Sequence, residues 1–203
     1  MGAIKTVIDF VMDILETVVF IGSLFIVVYL FIIAPNQVKG SSMEPSFHDG
    51  DYILTSKVIY KLRPPERGDI VVFKSPKNPD IDYIKRIIGL PKDKITISSS
   101  NVYVNDKLID EPYISDKTNL WDGGYIKDGV PLFVPSDEIL VMGDNRLHSS
   151  DSREFGPVPI DSIIGQVFFR YFPSNKVGVI KNPFPTSLRS FLDFRALALF
   201  QTL

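Results

Sequence analysis

The stretch DYIKRII, residues 82–88, sets a lysine and an arginine inside an apolar and aromatic run. This composition predicts a β-strand, in which successive side chains point to opposite faces of the sheet. Lys85 then shares one face with Tyr83 and Ile87, and Arg86 points to the other. Lysines in strands are more often exposed at an edge or surface, but a lysine on an apolar face has a lowered pKa because burial disfavours the ammonium form. Lys85 is therefore a candidate base.

The chain on both sides of this strand also favours β structure. Residues 98–135 are polar and Gly-rich and predict an insertion that projects from a core made by the flanking strands. Asn105-Asp106 predicts a hairpin turn inside it. We therefore predict a mainly β domain over residues 35–182 and a tail over 183–203 with helical apolar spacing. Six further short segments are β-branched or aromatic and lie between turn-forming residues: 52–54, 70–73, 95–97, 102–104, 138–142 and 165–171.

The N-terminal region has the composition of a membrane anchor. Residues 17–34 are uncharged and apolar, and at ~1.5 Å per residue they cross most of a ~30 Å hydrocarbon core. The residues before them have apolar side chains at helical spacing, which predicts an amphipathic helix that begins at the interface. A buried core helix and a removable signal peptide are the alternatives. The preceding acidic residues and the length of the span favour a retained single-pass anchor over residues 1–34.

Composition and charge exclude several classes of function. The 203 residues carry a net charge of −2 and no basic cluster longer than a pair, which argues against nucleic-acid binding. The chain has no cysteine, so disulfides, thiolate catalysis and thiolate metal sites are excluded. Its two histidines lack metal-ligand spacing, so we expect no metal site. No cofactor is expected.

Four short motifs, in this order along the chain, resemble those of the type I signal peptidases, the membrane-bound serine proteases of bacterial export. They are GSSMEP at residues 40–45, RGDIV at 67–71, YIKRIIGLP at 83–91, and GDNRLHSSDSR at 143–153. The resemblance covers the anchor and nearly all of residues 38–172. It implies a signal-peptidase/LexA-like β catalytic domain with a small β-rich insertion, on the extracytoplasmic side of the cell membrane.

The resemblance also implies roles for individual residues. Ser42 corresponds to the nucleophile and Lys85 to its general base, which must be unprotonated to accept the serine proton. Ser149 corresponds to a second serine, whose hydroxyl hydrogen-bonds the lysine amine. Asp151 and Arg153 correspond to an ion pair that holds the active-site loop.

The resemblance bears on neighbouring residues as well. Some relatives complete the oxyanion hole with a serine hydroxyl two residues before the nucleophile, where this chain has Gly40. Asp144, Asn145 and Arg146 are expected to shape the loop. His148 lies next to Ser149 and is the alternative base, since Ser-His pairs are commoner.

The implied reaction is removal of signal peptides from exported pre-proteins by cleavage after small residues of the Ala-x-Ala type. The partners are then signal peptides and the lipid bilayer. The cleavage segment is expected to bind as an extended strand between two stretches of backbone. These are Gln37, Val38, Lys39 and Ser41 on one side and Asp82, Tyr83 and Ile84 on the other.

Two other classes of protein are kept as alternatives. One is a self-cleaving LexA-like Ser-Lys protease, against which the apolar span argues. The other is a non-catalytic, membrane-tethered β scaffold, against which the presence of both Ser42 and Lys85 argues.

Overall fold

The computed structural model describes residues 2–184, so the tail from residue 185 onward lies outside the described residues. Its N-terminus is a 30-residue helix, α1 (Gly2–Phe31). Within it, Lys5–Tyr29 is long and apolar enough to cross a membrane, with a mean hydropathy of 2.3 and none of it buried against the rest of the protein. By length and composition, this helix fits the predicted anchor.

The helix ends earlier than expected, because residues 33–34 belong to strand β1 (Ile33–Gln37). β1 pairs with β2 (Tyr52–Ser56), and the pairing places Ile33 opposite Ser56. The predicted span 17–34 is therefore wrong at its C-terminal end. A short apolar run does not distinguish helix from strand by itself, and here the pairing with β2 satisfies the backbone of residues 33–37.

The main sheet contains eight strands and carries the predicted core of the domain. Its order is β1-β2-β11-β3-β4-β9-β10, with β12 paired to β11. The neighbouring strands in this sheet are antiparallel. Its remaining strands are β3 (Ile70–Lys74), β4 (Asp82–Gly89), β9 (Glu138–Met142), β10 (Val158–Pro159), β11 (Ile163–Phe172) and β12 (Gly178–Val179).

A smaller sheet forms the insertion, in the order β7-β6-β5-β8. Its strands are β5 (Lys94–Ser98), β6 (Asn101–Val104), β7 (Lys107–Leu108) and β8 (Leu132–Phe133). The insertion therefore begins at β5 and not at residue 98 as predicted, because β5 pairs with β6 and β8 instead of with the main sheet. The predicted hairpin is confirmed, and Asn105 and Asp106 both have positive φ, as a type I′ turn requires.

The described residues also contain two short α-helices, α2 (Ile59–Leu62) and α3 (Ser152–Phe155), and two 3₁₀ turns at Ile160–Ser162 and Ser174–Lys176. Apolar side chains pack on both faces of the main sheet. Val71 and Ile87 belong to the cluster on one face, and Val72 and Ile53 to the cluster on the other. The alternation of strand side chains therefore directs consecutive residues of β3 and β4 into different cores.

Candidate active site

The side chains of Ser42 and Lys85 are in contact. Ser42 lies in a turn that follows β1, and Lys85 lies in the middle of β4 with 3% of its surface exposed. The lysine Nζ and the serine Oγ are 2.8 Å apart, and Nζ also donates to the backbone oxygen of Ile84 at 2.9 Å. A serine hydroxyl this close to a buried amine can pass its proton to that amine.

Burial lowers the pKa of Lys85 to about 8, because the apolar surroundings disfavour the charged ammonium form. The negative charges of Asp151 and Asp144 act in the opposite direction, and the positive charge of Arg153 adds to the lowering. The amine also lies 5.1 Å from the centre of the Tyr83 ring. With a pKa of about 8, roughly a tenth of Lys85 is neutral at pH 7 and about half at pH 8, and this neutral form can act as a base.

The loop over residues 143–149 holds the backbone of the nucleophile. The Asn145 N–H donates to the backbone oxygen of Ser42 at 3.1 Å, and its side-chain amide donates to the oxygen of Ser41 at the same distance. Gly143 lies against this segment so closely that a Cβ there would be 2.5 Å from the Ser42 oxygen. The loop thus fixes where the Ser42 backbone lies relative to β4.

Ser149 lies in the same loop but does not make the expected hydrogen bond. Its Oγ is buried and no group among residues 2–184 meets it with full hydrogen-bond geometry, although it lies near enough to the Asp151 carboxylate to help lower the pKa of that group. It packs against Gly143, where an added Cβ would be 2.2 Å from the Ser149 Oγ. The predicted bond to the Lys85 amine is therefore absent, since that amine bonds Ser42 and Ile84 instead.

Asp151 and Arg153 form a fully buried ion pair, with 2.8 Å between carboxylate and guanidinium. Asp151 also accepts the N–H of Gly143 at 2.9 Å and caps helix α3. Burial alone would raise the pKa of Asp151, but the hydrogen bonds and charge of Arg153 hold that pKa below its usual range. The pair therefore secures both ends of the loop that contacts Ser42.

Gly40 occupies a backbone conformation that favours glycine, with a φ of +81°. It has no side chain to offer an oxyanion, and its N–H donates to the Asp49 carboxylate at 2.7 Å. The backbone N–H of Ser42 is therefore the donor that we assign to an oxyanion hole.

One edge of β4 beside Lys85 pairs with no other strand among residues 2–184. β9 pairs with residues 86–89 of β4, whereas β3 pairs with residues 82–86. The N–H of Ile87 donates to the backbone oxygen of Asp69, on the side of β4 that faces β3. Because peptide groups alternate in direction along a strand, those of residues 82 and 84 point away from β3. A groove of about 540 Å³ adjoins this part of β4. Its lining includes Gln37, Val38, Lys39, Asp82, Tyr83 and Ile84, whereas Ser41 is not part of that lining.

Two arginines beside the site have partners that the sequence did not indicate. Arg86 forms a buried ion pair with Asp144, at 2.6 Å. Arg146 is fully buried and pairs with Glu111 of the insertion. Glu111 was not among the predicted residues, and no pattern near it in the sequence indicates its partner.

The remaining candidates do not add to the chemistry. The side chain of His148 is exposed, and the amine beside Ser42 Oγ is that of Lys85. Within residues 2–184, no group of three or more His, Asp or Glu side chains could hold a metal ion.

Comparison with known proteins places the chain in a family. Residues 11–172 match the family model described as signal peptidase, peptidase S26. Signal peptidase IB of Staphylococcus aureus (strain COL) is 36% identical over 185 residues, which cover 84% of this chain and 96% of that protein. A probable signal peptidase I-2 of Synechocystis is 41% identical over 155 residues, or 74% of this chain and 68% of that protein.

The chain also matches a solved structure. The crystal structure of a signal peptidase I from Enterococcus faecalis V583 is 30% identical to the chain, with a TM-score of 0.43. The matched region covers 51% of this chain and 97% of the chain in that structure. On the family model and the sequence relatives, the chain is a serine peptidase. It belongs to the signal peptidase family, peptidase S26.

Proposed function

We propose that this protein is a membrane-bound endopeptidase that removes N-terminal signal peptides from exported pre-proteins, with Ser42 as nucleophile and Lys85 as general base. The observation that carries the proposal is the 2.8 Å separation of Ser42 Oγ and a buried Lys85 Nζ. Family membership supports the class of substrate.

The reaction begins when neutral Lys85 accepts the proton of Ser42 as its Oγ attacks the scissile carbonyl carbon. The backbone N–H of Ser42 donates to the oxyanion that forms. The C–N bond then breaks, the ammonium of Lys85 gives its proton to the leaving amine, and an ester links Ser42 to the signal peptide. A water molecule, deprotonated by Lys85, hydrolyses this ester and restores the free serine.

The cleavage segment binds as an extended strand between the backbone of residues 37–41 and that of residues 82–84. The open edge of β4 supports this proposal, because residues 82 and 84 direct backbone groups to a possible additional strand. The adjoining groove has room for side chains of the substrate. Small residues, as in Ala-x-Ala, are expected next to the scissile bond.

We expect the anchor to hold the site near the bilayer. Helix α1 ends at Phe31, and strand β1 follows without a linker and is paired over its whole length. Ser42 therefore follows the helix end by eleven positions, a span of at most ~40 Å when extended. We assign the catalytic domain to the extracytoplasmic face of the cell membrane, where a signal peptide presents its cleavage site.

The test uses the full-length protein in detergent or lipid vesicles with a purified pre-protein. Ser42→Ala and Lys85→Ala should each abolish cleavage, and Lys85→Arg should also fail because a guanidinium stays protonated. Lys107→Ala, which changes an exposed strand lysine in the insertion, is the matched control and should cleave normally. Substantial cleavage by purified Lys85→Ala would overturn the assignment of the base.

The same assay separates the two alternative functions. A scaffold would leave the pre-protein intact with the unaltered chain as well. A self-cleaving protease would shorten its own chain at a rate independent of protein concentration, while the added pre-protein stayed whole.

A further inference from the structure

The connection between β7 and β8 of the insertion reaches the catalytic loop through Glu111. Both oxygens of the Glu111 carboxylate contact the guanidinium of Arg146, one of them at 3.0 Å. Arg146 is fully buried and Glu111 nearly so, with side-chain exposures of 0% and 8%. A buried arginine needs such a partner, because an unpaired charge in this environment is strongly unfavourable.

Arg146 transmits this contact to the nucleophile. Its Nε donates to the backbone oxygen of Gly143 at 3.0 Å. Gly143 packs directly on the backbone oxygen of Ser42, since a Cβ added to Gly143 would lie 2.5 Å from that oxygen. One chain of contacts therefore runs from Glu111 through Arg146 and Gly143 to Ser42.

Tyr113 connects the same part of the insertion to the strand of the base. Its hydroxyl donates to Glu111 at 2.8 Å, and the Arg86 guanidinium lies 4.1 Å from the centre of its ring. Arg86 is next to Lys85 in β4 and pairs with Asp144 of the loop. Tyr113 therefore supports the side of β4 opposite to the one that carries Lys85.

We infer that Glu111 and Tyr113 are positioning residues that hold the Ser42 backbone and the Lys85 strand at their working separation. This inference rests on the proposed Ser42–Lys85 reaction. The two residues are not part of the lining of the groove at residues 37–39 and 82–84. Their loss should therefore lower kcat and leave KM nearly unchanged.

The first measurement compares Glu111→Gln with Asp106→Asn, which alters an exposed carboxylate of the same insertion. Both are assayed as full-length protein well below the melting temperature. Glu111→Gln should lower kcat about 10- to 100-fold with KM within about twofold of the unaltered protein, since small misplacements of reacting groups have effects of this size. Asp106→Asn should behave as the unaltered protein does.

A second pair of variants separates positioning from stability. Combining Glu111→Gln with Arg146→Met removes the unpaired buried cation, so the melting temperature should recover. Methionine cannot donate to Gly143, so kcat should stay low. Recovery of kcat together with the melting temperature would overturn the inference, as would a normal kcat in Glu111→Gln.

The aromatic contact is tested by Tyr113→Phe and Tyr113→Leu. The phenylalanine keeps a ring beneath Arg86 and should retain most of kcat, whereas leucine should lower it about 10-fold. Normal kcat values for both variants would remove Tyr113 from the inference. If Ser42→Ala still cleaved, the proposed function itself would fail, whereas a normal Glu111→Gln beside an inactive Ser42→Ala would contradict only the positioning role.

Discussion

Arg86 and Asp144 form an ion pair that joins the strand of the base to the loop over the nucleophile. Their charged groups lie 2.6 Å apart, and their side chains are 4% and 0% exposed. Arg86 also donates to Gly68 at 3.0 Å and to the hydroxyl of Ser46 at 3.3 Å. The face of β4 opposite Lys85 is thus tied to three separate parts of the chain.

Removing one partner of this pair should destabilise the protein. Asp144→Ala leaves the Arg86 cation buried without its carboxylate, and the expected loss is about 3–5 kcal/mol in the free energy of unfolding. Denaturant unfolding followed by circular dichroism measures it. Asp106→Asn, which removes an exposed carboxylate that pairs with Lys94 and keeps a residue that tolerates positive φ, is the control, with an expected loss of about 0–1 kcal/mol. Equal losses for the two variants would contradict the structural importance of the buried pair.

Cleavage should depend on pH through the Lys85 amine. Because burial lowers the pKa of Lys85 to about 8, kcat/KM should rise with pH up to that region and level off above it. Initial cleavage rates at limiting substrate between pH 6 and 10 test this. A rate that has already levelled off below pH 7 would contradict Lys85 as the base.

The same ionisation should affect stability in a defined direction. Lys85 binds a proton more weakly in the folded chain than in the unfolded chain, where its pKa is the ordinary 10.5. The unfolded state therefore carries more protons between pH 8 and 10.5, and the contribution of this group to stability rises with pH across that window. Lys85→Met should be more stable than the unaltered protein at pH 7, and the difference should shrink towards pH 10.5. A difference that grows with pH would contradict the burial of this amine.

Gly143 should tolerate no side chain. An added Cβ would lie 2.2 Å from the Ser149 Oγ and 2.5 Å from the Ser42 backbone oxygen, so Gly143→Ala must displace the nucleophile. We expect a loss of cleavage of about 100-fold or more, because displacements of about 1 Å have effects of this size. Gly178→Ala is the matched control, since a Cβ at that position meets nothing within 4 Å. Normal cleavage by Gly143→Ala would show that the loop does not fix Ser42.

Much of the fold could be predicted from local patterns. The seven strands that were predicted all contain runs of β-branched or aromatic residues, and the Asn105-Asp106 turn has a local backbone preference. The strands that were missed are short or, like β1, continue an apolar run from the helix. Their formation depends on pairing with distant residues, which local composition does not record.

The candidate site likewise combines features that local sequence predicts with features that depend on distant residues. The period of a strand was enough to place Lys85 and Arg86 on opposite faces of β4, because that alternation is a property of the extended backbone. The hydroxyl of Ser149 could be placed in the correct loop from its neighbours in sequence. The hydrogen bonding of this hydroxyl could not be predicted from the sequence, because it depends on how Gly143 packs and on which groups bond the Lys85 amine.

The sequence by itself determined the apolar helix, the mainly β domain and a lysine on the apolar face of a strand. Only the tertiary structure decided that the Lys85 amine lies 2.8 Å from Ser42, a residue 43 positions away, and that Glu111 pairs with Arg146 across 35 positions. The physical reason is the range of the interactions. Strand alternation acts between neighbours in the chain, whereas burial, ion pairing and the lowered pKa of Lys85 arise only when remote segments pack together.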